Sequence, residues 1–189
     1  MSMSELHKPE WYGECAIISD KYNDYVQIKY KCNGTGTLYD YSLFPGINLI
    51  FMDFNCSDIF HEPIPNKNII EIRHYQKGRV EFELRNNKVF HMKEGELCIN
   101  ALANVPAAYS FPFGYSVGLS CVIDKDSIDA KTKQIFSYYN IDVLNLGQEL
   151  EIEKKWFLCR TPQRLLHIFD ELYAAKGVER KDGNVHIMV

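Results

Sequence analysis

No run in this chain comes near the roughly 20 consecutive apolar residues that a membrane-spanning helix needs, and no charged, apolar, small-residue leader opens it. There is no C-x-x-C among the six cysteines (Cys15, Cys32, Cys56, Cys98, Cys121, Cys159) and no His at zinc-finger spacing, so neither a structural zinc site nor a disulfide framework is expected. Several of these cysteines fall among apolar strand residues, where a free thiol acts as a small hydrophobe. Basic clustering is also missing. Lys and Arg number 21 against 25 Asp and Glu, the net charge is -4, and the cations are scattered, whereas phosphate backbones demand them clustered. Direct nucleic-acid contact by this chain is therefore not expected. Gly-rich phosphate loops, G-x-S-x-G and Cys-His catalytic patterns are absent too, which leaves no evident nucleophile, no catalytic residue and no expected cofactor. Together these absences predict a reduced, cytoplasmic protein that is not an enzyme.

What the chain does have is aromatic and aliphatic surface. Tyr 12, Phe 11 and a hydrophobic fraction of 46% in 189 residues are enough to offset chain entropy when buried, and the length suits one well-buried domain with appendages. The stretch from Ile69 to Asp124 alternates apolar and polar residues, with turn residues about every ten positions. That rhythm predicts consecutive antiparallel strands of a sandwich or small barrel.

Read in order, 1–24 is expected to be an N-terminal arm. Tyr25 to Cys32 alternates, Gly34-Thr35-Gly36 turns, and Thr37 to Phe44 completes a hairpin. Pro45-Gly46 makes a corner before a strand from Ile47 to Phe54 that is apolar enough to be buried on both faces. Asn55 to Asn68 reads as a surface connection. Ile69 to Lys77 puts Ile70, Ile72 and His74 on one face and Glu71, Arg73 and Tyr75 on the other, and Gly78 is expected to end it. Taking Asn86-Asn87 as a two-residue hairpin loop pairs Leu84 with Val89, Phe82 with His91 and Glu81 with Met92. This register turns His91 onto the apolar face. Further strands are Leu97 to Leu102, Ala108 to Phe111 and Ser116 to Ile123. The barrel is thus assigned to 25–124.

After Asp124 the period changes to a helical one, giving a segment 125–189. Asp124 or Asp126 is expected to cap a helix with Ile128, Ile135, Phe136 and Tyr139 on one side. A weaker helix lies around Gln148 to Phe157. Thr161-Pro162 starts a third that runs to Lys176. Its stripe of Leu165, Phe169, Leu172 and Tyr173 is either internal packing or a dimer surface. The apolar end at Asn184 to Val189 is read as the edge of a longer polypeptide.

Pro45-Gly46-Ile47 with Met52-Asp53-Phe54, Ile70-Glu71-Ile72-Arg73-His74 leading to Lys77-Gly78-Arg79, Glu81-Phe82-Glu83-Leu84, Glu94-Gly95-Glu96-Leu97 and Phe111-Pro112-Phe113-Gly114-Tyr115 stand in an ordered series. With Ile168-Phe169-Asp170-Glu171-Leu172-Tyr173, this series resembles the N-terminal, cupin-like effector domain of AraC-type transcription regulators over roughly Leu43 to Lys176. The resemblance implies a mainly β fold with C-terminal helices: a cupin-like antiparallel barrel, or jelly roll, that holds a small-molecule effector. It also implies homodimerisation through helices, and DNA contact only through a separate C-terminal helix-turn-helix domain, for which nothing after Tyr173 supplies the residues. The chain departs from the family at His91, usually an aromatic, and near Ser116 or Val117, where the family usually carries a His.

Within such a barrel, His74 and His91 beside Phe82 are the candidate contacts for a polar or anionic effector. Phe54, Tyr109, Phe111 and Tyr115 are candidates for the mouth. Each has a plainer reading as core. Glu71 is a candidate as well, its plainer reading being a solvated carboxylate or one paired with Arg73, Arg79 or Lys93. Metal cupins carry His-x-His where this chain has Val80-Glu81-Phe82-Glu83, so no metal is expected. The alternative functions are a stand-alone cupin enzyme acting on a sugar or small acid, and a purely structural dimerisation module whose barrel is filled by its own side chains.

Overall fold

A computed structural model describes residues 12–13, 16–22, 24–60, 65–84, 88–103 and 105–182. The chain divides into two compact units, one up to Cys159 and one from Arg160 onward.

Eleven strands appear among the described residues of the first unit, with β11 reaching the boundary: β1 (Ala16–Lys21), β2 (Tyr25–Tyr30), β3 (Gly34–Phe44), β4 (Ile47–Cys56), β5 (Asp58–Phe60), β6 (Asn66–Leu84), β7 (Val89–Lys93), β8 (Glu96–Leu102), β9 (Pro106–Ser110), β10 (Ser116–Asp124) and β11 (Phe157–Arg160). They form a curled, antiparallel half-barrel ordered β1-β2-β3-β4-β10-β6-β8-β11, with β5, β7 and β9 joined through the far end of β6. The expected fold class, mainly β with helices toward the C-terminal end, is the one observed.

Strand β6 is the common member. Its first part pairs with β10 and β8, and from Arg79 onward it pairs with β7 and β9. Gly78 does not end the strand. It bends it at φ +87°, and a Cβ there would lie 2.4 Å from the Tyr115 carbonyl oxygen, so this corner is open to glycine alone. The main core fills the space between the two pairings: Ile28, Met52, Phe54 and Tyr75 face Ile59, Val80, Phe82, Met92 and Tyr109.

The other face of the longer pairing is not solvated. Ile70 and Ile123 pack there with Ile128, Val143 and Ile152, which come from the segment after β10. The barrel unit therefore runs past Asp124, the boundary expected from the change of period. It also begins earlier, because β1 lies within the expected arm and pairs with β2.

Helix α1 (Ala130–Tyr138) starts later than expected. Asp129, rather than Asp124 or Asp126, is its N-cap, accepting from the Thr132 N–H at 2.7 Å. Asp124 is held elsewhere, accepting from the Ser127 hydroxyl at 2.7 Å. The weak helix around Gln148 is a single 3-10 turn, Gln148–Leu150, followed by β11. Gly147 and Glu151 flank that turn at positive φ, so the backbone cannot propagate a helix in either direction. In the second unit, α2 (Gln163–Asp182) is one helix of 20 residues. It carries Leu165, Phe169, Leu172 and Tyr173 at the i, i+4, i+7, i+8 spacing of one face.

Candidate functional site

Three neighbouring strands aim alternate residues at one interior cavity: Ile50, Met52 and Phe54 from β4, Ser120 and Val122 from β10, and Glu71, Arg73 and Tyr75 from β6. Tyr12, Tyr30, Leu38, Ile59, Leu102 and Tyr109 complete its lining, and its volume is about 60 Å³. That is room for about two waters at their liquid volume, well below the few hundred Å³ of an ordinary ligand pocket. Side chains of the barrel occupy most of its interior.

One wall of the cavity is polar and self-contained. Arg73 donates to Glu71 Oε1 at 2.7 Å and Oε2 at 2.8 Å through Nη2, and again to Oε1 at 3.0 Å through Nε. Both side chains are only 8% exposed. Ser120 Oγ donates to Glu71 Oε1 at 2.6 Å, while Arg73 reaches Tyr109 Oη at 3.5 Å. The guanidinium also lies over the rings of Phe82 and Tyr109, 5.2 and 5.4 Å from their centroids. Burial alone would pull the Arg73 pKa down, but Glu71 first, then Tyr109 and Tyr75, outweigh it and hold the guanidinium above its ordinary range. Burial likewise pushes the Tyr75 and Tyr109 hydroxyls up, against the opposing pull of Arg73. The wall is thus an ion pair with the Ser120 and Tyr109 hydroxyls against it.

Beside it on the same sheet, Ile50, Met52 and Phe54 of β4 make the lining aromatic and aliphatic. Phe54 and Phe111 stack at 4.9 Å and 18°. Tyr12 closes the lining from the segment before β1; its hydroxyl donates to Asp40 and its carbonyl accepts from the Tyr30 hydroxyl at 2.9 Å.

Of the residues singled out from the sequence, Phe54, Tyr109 and Glu71 line the cavity, and Phe82 and Phe111 pack in the core beside it. Glu71 is neither solvated nor on an outer face. The two histidines lie elsewhere. His74 shares a face with Ile70 and Ile72 as expected, but that face is turned away from the cavity, and His74 is buried there across from Leu119 and Leu97. Both faces of this part of β6 are covered, so alternation separates them without labelling the interior one.

His91 is exposed and pairs with Glu81, because Phe82 opposes Phe90. The Leu84 N–H donates to the Lys88 carbonyl at 2.9 Å, which leaves three residues between them instead of two, and a one-residue change reverses every side chain on β7. Asn86 and Asn87 themselves lie outside the described residues. Phe90 takes the inward place, 5.0 Å from the Trp156 ring. Tyr115 is 45% exposed at the Phe113 corner, away from the lining. Arg73, Ser120, Tyr75, Tyr30 and Tyr12 are lining residues that the sequence reading did not choose. An Arg two positions from a Glu on one strand face was the available signal. Among the described residues no group of three or more His, Cys, Asp or Glu is placed to hold a metal ion, and no helix is long and apolar enough to cross a membrane.

No family model matches the chain, and no curated protein matches it. Solved structures do resemble it at low identity. The AraC-like transcriptional activator CuxR is 12% identical with a TM-score of 0.43, over 82% of this chain and 49% of that one. The EutQ protein of Clostridium difficile is 15% identical with a TM-score of 0.37, over 49% of this chain and 66% of that one. A point mutant of Bacillus subtilis oxalate decarboxylase OxdC is 13% identical with a TM-score of 0.39, over 79% of this chain and 43% of that one. In each case the chain spans less than two thirds of the other protein's length.

Proposed function

We propose that this chain is the effector-sensing and dimerisation half of an AraC-type transcription regulator, with a small molecule taken up inside the barrel. The observation that carries the reading is the Glu71-Arg73-Ser120-Tyr109 cluster, a buried set of polar groups lining a cavity whose other lining residues are mostly aliphatic and aromatic. Because Glu71 already neutralises Arg73, an added anion would meet a carboxylate as well as a guanidinium. The wall suits a neutral molecule that offers hydroxyl or amide groups on one side and carbon on the other.

The free volume admits only a few heavy atoms, so a larger effector would enter by displacing lining side chains. Effector uptake in the barrel would change how the linked helical segment packs in a dimer, and through it bias a DNA-binding domain. The competing class, a cupin enzyme acting on a sugar or small acid, is separated by metal analysis of the purified protein: stoichiometric iron, manganese, nickel or zinc favours the enzyme.

The direct test is thermal shift of the full chain against a panel of neutral polyols and amides beside small carboxylic acids. Neutral members are expected to stabilise it, by about 2.7 kcal/mol at one hundred times their Kd, and Tyr109→Phe to weaken that effect. If no compound stabilises the chain, or only acids do, this reading is wrong.

A further inference from the structure

Cys32 and Cys56 lie 24 positions apart in sequence yet at the same end of the β2–β3–β4 ladder, where Tyr30 pairs with Gly36 and Gly34 with Cys56. Cys32 sits in the turn between β2 and β3, and Cys56 ends β4, its backbone paired with Gly34 across the β3–β4 ladder. Gly34 has φ +133°, and a Cβ there would be 2.2 Å from the Asn55 carbonyl oxygen and 3.1 Å from the Cys56 Cβ. Only a residue without a side chain leaves that space open. Cys32 Sγ turns into the same region, 3.4 Å from where a Cβ on Gly36 would be. Both cysteines pack on the main core, Cys56 within it and Cys32 against its edge.

We propose that Cys32 and Cys56 form a peroxide-responsive dithiol that closes into a disulfide tying the β2–β3 turn to the end of β4. The two thiols differ in access. Cys32 is half-exposed, while Cys56 is buried. Burial first, then Cys32, pushes the Cys56 thiol up to about 12, only partly offset by the backbone N–H of Asp58. Peroxide reaches the half-exposed sulfur first, so oxidation starts at Cys32. Its sulfur attacks the peroxide O–O bond, giving Cys32 sulfenic acid and one water. The Cys56 sulfur then displaces the sulfenic hydroxyl as a second water, and the S–S bond forms. Two thiols lose one electron each, and one peroxide is reduced.

The bond falls beside the cavity wall, because Tyr30 and Phe54 each stand two residues before one of these cysteines. Oxidation would fix the separation of those two side chains. This inference does not depend on the sensing role and stands or falls by thiol chemistry.

The test treats the full chain with one equivalent of hydrogen peroxide, alkylates the remaining thiols and maps unreduced peptides by mass. The expected product is a Cys32–Cys56 peptide pair, lighter by the two thiol hydrogens. Cys32→Ser should abolish it and leave Cys56 alkylated. Cys56→Ser should stop at a Cys32 sulfenic acid trapped by dimedone. Closing a loop of roughly 25 residues should raise Tm by on the order of 5 °C, reversibly with dithiothreitol, in the wild type and not in Cys32→Ser. Cross-linking of Cys98 with Cys159 in place of this pair, or oxidation of Cys32 with Cys56 still free, would overturn the proposal. Should Cys56→Ser fail to fold, the half-exposed Cys32 variant and the peptide map decide alone.

Discussion

Glu71 and Arg73 keep their charges inside an apolar barrel because each satisfies what the other would otherwise lose to water: three N–H donations, a serine hydroxyl and two aromatic faces surround them. Removing one partner strands the other. Arg73→Leu is expected to cost about 3–5 kcal/mol in urea unfolding, with much of it recovered in the Glu71→Leu, Arg73→Leu double variant. The Arg79–Glu81 pair, at 2.8 Å but about a third exposed, should contribute under about 1 kcal/mol by the same measurement.

The tyrosines of that wall make a pH prediction. Their folded pKa values are raised above the ordinary value of 10, so the stability they confer is complete below pH 10 and is lost as the pH rises past it, where only the unfolded state ionises. Tyrosinate absorbance from Tyr75 and Tyr109 should therefore appear together with alkaline unfolding. Early titration of all the tyrosines in the folded protein would contradict this. None of this interior chemistry was legible from alternation. Ile70-Ile72-His74 looked like the inward face because aliphatic residues usually mark the core, and here the charged face is inward because its charges cancel locally.

At the scale of the element, the turn chemistry was legible and the register was not. Pro45-Gly46 does separate β3 from β4, and Thr161-Pro162 does precede α2. The β6–β7 hairpin depended on a loop length that two asparagines could not fix, and one residue moved His91 outside and Phe90 inside. Phe82→Ala, at a fully buried position, should destabilise by about 3–5 kcal/mol, whereas His91→Ala should leave Tm unchanged. Gly78→Ala, set against both φ and the Tyr115 carbonyl, should cost about 1–3 kcal/mol. Acidification acts on α1 through its cap. The Asp129 carboxyl is held below its ordinary value of 3.8 by the Thr132 hydrogen bonds, so the capping contribution is present above that value and fades as pH falls through the lowered one. Hydrogen exchange in the first turn of α1 should speed up accordingly, and Asp129→Ala should show the faster exchange at every pH.

For the molecule as a whole, the spacing of turns was enough to predict an antiparallel barrel, since a strand period repeated about every ten residues has few other solutions. Its extent was hidden, because Ile128, Val143 and Ile152 cover the second face of the sheet from a segment with little periodicity of its own. A chain ending at Asp124 is therefore expected to lack a cooperative unfolding transition, and one ending at Cys159 to retain it. The dimer assignment remains a proposal for α2. Light scattering of the full chain should give twice the monomer mass, and Phe169→Glu with Leu172→Glu should return it to one chain.

Among the described residues, strand β6 takes its partners, β7, β8, β9 and β10, from residues that follow it in the chain, and β4 also waits for β10. During synthesis the chain through β6 thus leaves the ribosome with two long strand edges open, and they stay open until Asp124 has emerged. Such edges invite pairing with other nascent chains. Slow translation between β6 and β10 is expected to lower the soluble yield, and a chaperone that shields extended strands to restore it.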